Sequence, residues 1–181
     1  MATHLILVRG INVGGLNKVP MAGLKRCLED LGFDNVSTFL VTGNVLLDSH
    51  LGAREIEAKI DKVLPKEFKL DTDLVRVLAL SRSQFKAIVD RRPAGFGDEP
   101  DKYHSDAIFL MGITTAKAMP VFSPRDGVDT IWPGKGVIYS RRLSAMRTKS
   151  RLNRIMGTPE YKAMTIRSWS TTTKLLALMS A

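Results

Sequence analysis

Leu5-Ile6-Leu7-Val8-Arg9-Gly10-Ile11-Asn12-Val13-Gly14-Gly15-Leu16-Asn17-Lys18-Val19-Pro20 sets the order of elements for the first part of the chain. Leu5 to Val8 is a short continuous apolar run, which predicts a buried central strand. Gly10 to Val19 reads as a glycine-rich loop. Pro20 suits the first position of a helix, where its missing N–H costs nothing. Met21, Leu24, Leu28 and Leu31 then recur on one helical face, and Gly32 stops the helix.

Working outward, residues 36–41 and 45–48 flank Thr42-Gly43-Asn44, which predicts a tight hairpin. Ile56, Ile60, Val63 and Leu64 have helical spacing, with Pro65 as the stop. Residues 74–78 alternate as the next strand. Residues 1–80 therefore read β-α-β-β-α-β, the ferredoxin-like order.

Residues 81–181 read as a second, small α+β subdomain. Ser81 is a natural N-cap for a helix carrying Phe85, Ile88 and Val89. Residues 91–104 read as a loop, and strands are expected at 107–111, 128–132 and 137–140. Ser150 caps a short helix with Leu152, Ile155 and Met156 inward, ended by Gly157 and Pro159. A last helix begins near Ser168 or Ser170 and runs through Leu178. The fold class is α+β, and no internal repeat is visible in the sequence.

The chain has 181 residues, 44% hydrophobic and 25% charged, which suits a protein that buries a real core. No apolar run approaches the roughly 18 residues that span a bilayer. The N-terminal apolar stretch is only Leu5 to Val8 with no basic residue before it, unlike a secretory signal. The expectation is a cytoplasmic protein with no membrane partner. A single cysteine, Cys27, excludes an intramolecular disulfide and a thiolate zinc site, and its place between Leu24 and Leu28 suits a small core residue. No metal-ligand spacing appears, and no metal or cofactor is expected.

Charge is lopsided. The net charge is +9, and from Arg141 onward nine Lys/Arg face a single acid, Glu160. An excess of that size suggests an anionic partner, either a phosphate-bearing small molecule or nucleic acid. The bland reading is a solvated basic surface that only aids solubility.

Strand, glycine-rich loop, helix is the grammar of a phosphate site, because loop amides and a helix N-terminus point N–H groups at an anion. The loop is not a P-loop, since Leu16 stands where that motif needs lysine, and it lacks the third glycine of the dinucleotide fingerprint. In a sheet ordered 4-1-3-2, the hairpin between strands two and three lies at the same end as this loop, so Asn44 should sit near Arg9. Candidate ligand-binding residues are Arg9, Gly10, Asn12, Gly14, Gly15, Lys18 and Asn44 on this edge. Arg151, Arg167 and Lys174 join them from a basic C-terminal face that also includes Arg147 and Arg154. Arg167, Thr171 and Lys174 fall at i, i+4 and i+7, which would place them on one helix face. His104 beside Asp106 suggests a general base or an imidazole oriented by a carboxylate, and the competing reading is a satisfied loop histidine. No serine or cysteine sits in a nucleophile elbow.

The stretches RGINVGGLNKVPM, TGNV, KSRL, GTP and MTIRSWSTTTKL resemble a bacterial family of unknown function, numbered sixteen ninety-seven. The resemblance spans essentially the whole chain. It falls on Arg9, Gly10, Asn12, Gly14, Gly15, Asn17, Lys18, Gly43, Asn44, Ser150, Arg151, Thr165, Arg167, Trp169, Thr171, Thr172 and Lys174. Val41 stands where that family usually has glutamine, and Ser168 and Ser170 where it usually has asparagine. The resemblance implies an α+β fold with a ferredoxin-like N-terminal part and no known activity. Three functions stay open: a binder of a phosphate-bearing ligand or nucleic-acid backbone, a hydrolase or transferase of phosphates or acyl phosphates, and a protein-interaction module without chemistry. Residues 5–8 and 45–48 carry no aromatic for base stacking, which argues against ordinary sequence-specific RNA recognition.

Overall fold

The Leu5–Val8 run lies in strand β1 (Ala2–Arg9), bordered on both sides, in a computed structural model that describes residues 1–180. β1 is followed by α1 (Met21–Asp30), β2 (Asp34–Phe39), β3 (Asn44–Ser49), α2 (Ala53–Glu67) and β4 (Arg76–Ser81). Both neighbours of β1, namely β3 and β4, run antiparallel to it, and the sheet order is β2-β3-β1-β4. That is the expected order 4-1-3-2. Residues 1–86, with residues 175–180, form one compact unit, and 87–174 form another.

The helical periodicities reappear as the core of the first unit. Leu24 and Leu28 of α1 and Ile56, Ile60 and Leu64 of α2 pack with Ile6 and Val8 of β1. Cys27 is buried, and burial raises its thiol above the ordinary value.

Local boundaries differ from the sequence reading in four places. Pro20 is the N-cap of α1 rather than its first helical residue. The hairpin loop covers residues 40–43, with Leu40 and Gly43 both at positive φ, so β2 ends two residues early. At Gly43 a Cβ would lie 2.6 Å from the Val8 carbonyl, which only glycine avoids. Pro65 lies inside α2, near its end. There it removes one backbone hydrogen bond, while the buried Ile56, Ile60 and Leu64 hold the helix by packing. β4 starts at Arg76 rather than two residues earlier.

Ser81 caps the next helix, α3 (Arg82–Asp90), as expected. Its hydroxyl accepts from the Gln84 amide at 3.2 Å, and the Gln84 side chain accepts from the Ser81 amide at 2.9 Å. This reciprocal pair satisfies two donors at once.

The second unit holds β5 (Tyr103–Leu110), the single turn α4 (Thr115–Ala118), β6 (Asp129–Gly134) and β7 (Val137–Leu143). Three short 3-10 segments follow (Ser144–Lys149, Leu152–Gly157 and Pro159–Ala163), then β8 (Met164–Ser168) and α5 (Trp169–Leu178), whose residues from Leu175 belong to the first unit. Its sheet order is β6-β7-β5-β8, again antiparallel throughout. Both units thus carry the same strand order, although the sequence shows no repeat. Pro133 sits in β6, an edge strand, where a missing ladder donor is tolerated.

β8 is the strand that sequence reading missed. Thr165 and Arg167, both polar, are its buried residues along with Met164, so the apolar alternation is masked. The helix expected after Ser150 is a 3-10 segment capped by Arg151, with Leu152 and Ile155 buried but Met156 exposed.

The two faces of this sheet differ. On one, Ile108, Leu110 and Ile138 pack with Leu152, Ile155 and Met164. On the other, Phe96 meets Trp132, Tyr139 and Trp169 edge-on, with centroids 6.0, 5.0 and 4.9 Å away. The Arg141 guanidinium lies 4.0 Å from the Tyr103 ring centroid and donates to the Gly95 carbonyl at 2.9 Å.

The Tyr139 hydroxyl donates to the Ile88 carbonyl at 2.6 Å, and burial pushes its pKa from 10.0 up to about 12. As pH rises, the unfolded chain sheds this proton first, so the stability Tyr139 contributes is complete below about pH 10 and is lost toward about pH 12. Urea unfolding in this alkaline window should therefore show a steeper loss for the native chain than for Tyr139→Phe.

Candidate functional site

The glycine-rich loop folds into a small hairpin of its own. Val13 and Leu16 form a β-bridge, and the Asn12 amide donates to the Asn17 carbonyl at 3.1 Å. Gly14 and Gly15 at its tip have φ of 59° and 78°, the double positive φ that a type I′ turn demands.

Two asparagines hold this hairpin. The Asn12 amide group donates to the carbonyls of Val19 (2.9 Å) and Val41 (2.8 Å), and its oxygen accepts from the Val19 amide (2.8 Å). Asn17 is buried. It donates to the Gly10 carbonyl and the Thr72 hydroxyl, both at 2.8 Å, and accepts from the amides of Asp71 (2.7 Å) and Thr72 (3.0 Å).

The loop and the β2–β3 hairpin do meet, through Asn12 and Val41. At this corner the side chains of Asn12, Asn17 and Asn44 are engaged with backbone and hydroxyl groups of the protein itself. The Asn17 amide, which an anion could have used, donates to the Asp71 carboxylate at 2.6 Å. Arg9 is buried in β1 opposite Arg76 and donates to the Leu74 carbonyl at 3.0 Å. Asn44 is fully buried, donating to the Phe39 carbonyl (2.9 Å) and the Thr42 hydroxyl (3.0 Å). Gly10 is partly covered, and a Cβ there would sit 3.0 Å from the Leu74 carbonyl oxygen. Gly14, Gly15 and Lys18 are exposed.

The C-terminal candidates are not one exposed face. Arg167 is on β8 rather than on a helix, so it does not share a helical stripe with Thr171 and Lys174. It is 8% exposed, donates to the Thr165 hydroxyl and the Ile166 carbonyl (both 2.9 Å), and burial lowers its pKa to about 10. Arg151 is half-buried, while Arg147, Arg154 and Lys174 are exposed.

A second candidate site lies in the second unit. Cross-strand register sets His104 of β5 opposite Arg142 of β7, and Arg142 opposite Asp129 of β6. These residues continue the sheet face that packs Ile108 and Ile138, because strand residues two apart point the same way. At this end the face is polar. His104, Arg142, Ser144, Ala145, Arg147 and Thr148 line a cleft of about 460 Å³.

Asp106 lies beside two of the cleft residues. Its Oδ1 lies 3.0 Å from His104 Nε2, and its Oδ2 lies 3.8 Å from the Arg142 guanidinium. Its side chain is 17% exposed against 42% for His104. Burial raises the Asp106 pKa, with His104 and Arg142 pulling the other way. Asp129 accepts from the amides of Arg125 (3.0 Å) and Arg151 (2.8 Å). Arg142 Nε, Arg151 Nε and Asp129 Oδ1 are buried without hydrogen-bond partners among the described residues. The histidine and its carboxylate were legible as a short motif. Arg142, Ser144 and Thr148 were not, because strand register and the 3-10 segment after β7 bring them there.

Among the described residues no group of His, Cys, Asp and Glu could hold a metal ion, and no helix is long and apolar enough to cross a membrane. A family model described as a protein of unknown function (DUF1697) matches residues 1–139. A solved structure of a conserved bacterial protein from Streptococcus pneumoniae superposes with a TM-score of 0.83 at 24% identity, covering 98% of each chain, and shows the same fold. No curated protein matches the sequence.

Proposed function

We propose that this chain, which belongs to the DUF1697 family of proteins of unknown function, binds a small phosphate-bearing molecule in the cleft of its second unit. One observation carries the reading: Arg142, Arg147 and His104 share a single concave polar surface with the hydroxyl-bearing Ser144 and Thr148. Guanidinium groups offer forked donors suited to phosphate oxygens, and hydroxyls complete the shell.

Size favours a small molecule over a nucleic-acid strand. About 460 Å³ lies in the range of small-ligand sites. The burial of Arg167 and partial burial of Arg151 also break up the extended basic surface that backbone tracking would use.

Calorimetric titration with inorganic phosphate, a sugar phosphate and a nucleoside monophosphate tests this, with a single-stranded oligonucleotide as the contrast. Arg147→Ala is expected to weaken phosphate binding about tenfold or more, since hydrogen bonds to charged groups contribute about 1.5–3 kcal/mol. Its melting temperature should stay near that of the native chain, because Arg147 is exposed. Tight oligonucleotide binding that falls steeply with salt, without any small-molecule binding, would overturn the reading.

A further inference from the structure

We infer that the same cleft hydrolyses phosphate monoesters, with His104 as the general base that activates water; this rests on the cleft being a phosphate site. His104 Nε2 lies 3.0 Å from the Asp106 carboxylate. A carboxylate accepts, so Nε2 carries the proton of the neutral ring and Nδ1 keeps the lone pair. A mostly buried carboxylate holds that tautomer and stabilises the imidazolium formed when the ring takes a proton, so Asp106 is a positioning residue.

The surrounding groups match the rest of the reaction. Arg142 and Arg147 are the cationic groups lining the cleft with His104, placed for charge on phosphoryl oxygens. Arg142 also lies 3.8 Å from the Asp106 carboxylate, an ion pair beyond hydrogen-bond distance. Phosphoryl transfer asks little of a protein beyond positioning, cationic stabilisation and an oriented nucleophile; Arg142 and Arg147 offer the cationic groups and His104 the base for a water nucleophile.

In the step itself, His104 Nδ1 removes a proton from water as the water oxygen bonds to phosphorus. The bond between phosphorus and the ester oxygen breaks, and the leaving alkoxide takes a proton from solvent. His104 then returns its proton to solvent. The products are the alcohol and inorganic phosphate, with no oxidant, reductant or second substrate required.

The experiment uses p-nitrophenyl phosphate for turnover and inorganic phosphate for binding, with the full chain and the variants His104→Gln and Asp106→Asn. His104→Gln can keep a donor to Asp106 but cannot act as a base. It is expected to lower kcat at least a hundredfold, within the range for general-base catalysis, while inorganic phosphate binding changes less than about tenfold. Asp106→Asn should lower kcat by a smaller factor, with KM nearly unchanged. In labelled water, the released phosphate should carry one solvent oxygen. If the native chain binds inorganic phosphate yet turns over no faster than His104→Gln, the hydrolase inference fails and the binding proposal stands. If inorganic phosphate does not bind and no turnover occurs, both fail.

Discussion

Phe96→Ala is expected to destabilise the second unit by about 3–5 kcal/mol, the range for truncating a buried phenylalanine. The ring has no solvent exposure and is met edge-on by Trp132, Tyr139 and Trp169. Alanine would forfeit the apolar burial and three aromatic contacts, and leave a cavity among side chains too large to collapse into it. Phe96→Leu, which keeps more of the volume, should cost less. The two tryptophans of the chain are both Phe96 partners, so tryptophan emission reports this cluster directly. Urea unfolding followed by fluorescence should show the midpoint falling sharply for Phe96→Ala. A loss below about 1 kcal/mol would mean that the ring is not a core element.

The second large effect is expected at Asn17. Its side chain makes four hydrogen bonds, to the Gly10 carbonyl, the Thr72 hydroxyl and the amides of Asp71 and Thr72. Asn17→Ala removes all four bonds at once and leaves part-buried donors and acceptors unpaired, each costing up to about 1–3 kcal/mol. The groups can recover part of this through water, so a net loss of about 3 kcal/mol is expected. Asn17 also sits at φ 48°, where alanine is strained and glycine is not. Asn17→Gly therefore separates the two causes: it should remain nearly as damaging if the hydrogen bonds dominate. Hydrogen exchange at the Asp71 and Thr72 amides gives the local reading, with both expected to lose protection. Near-native stability of Asn17→Gly would assign the effect to backbone strain alone.

These two positions mark the limits of what the sequence reading reached. Apolar residues at helical spacing located α1 and α2, and Leu24, Leu28, Ile56, Ile60 and Leu64 are buried as their period requires. Ser81 was legible as a cap because the bond it makes is local, closing within three residues. Sheet order and the meeting of the loop with the β2–β3 hairpin followed from the succession of elements, since few topologies connect them. The loop's asparagines and glycines marked a special backbone, as their positive φ values bear out.

Composition and period alone determined the α+β class and the helical core of the first unit, because apolar burial is the dominant drive and leaves a periodic imprint on the chain. The fate of polar residues was decided only by tertiary structure. Whether Asn17 faces a ligand or the Asp71 backbone depends on a loop 54 residues downstream. Arg9, Asn44 and Arg167 look like surface ligands in the sequence, yet each is buried with hydrogen bonds to nearby backbone groups. The cleft likewise exists because antiparallel register places Arg142 beside His104. A polar side chain carries no periodic signature of its partner; hydrogen bonds and ion pairs are directional and short-ranged, so their formation waits on where the apolar core has already placed the strands.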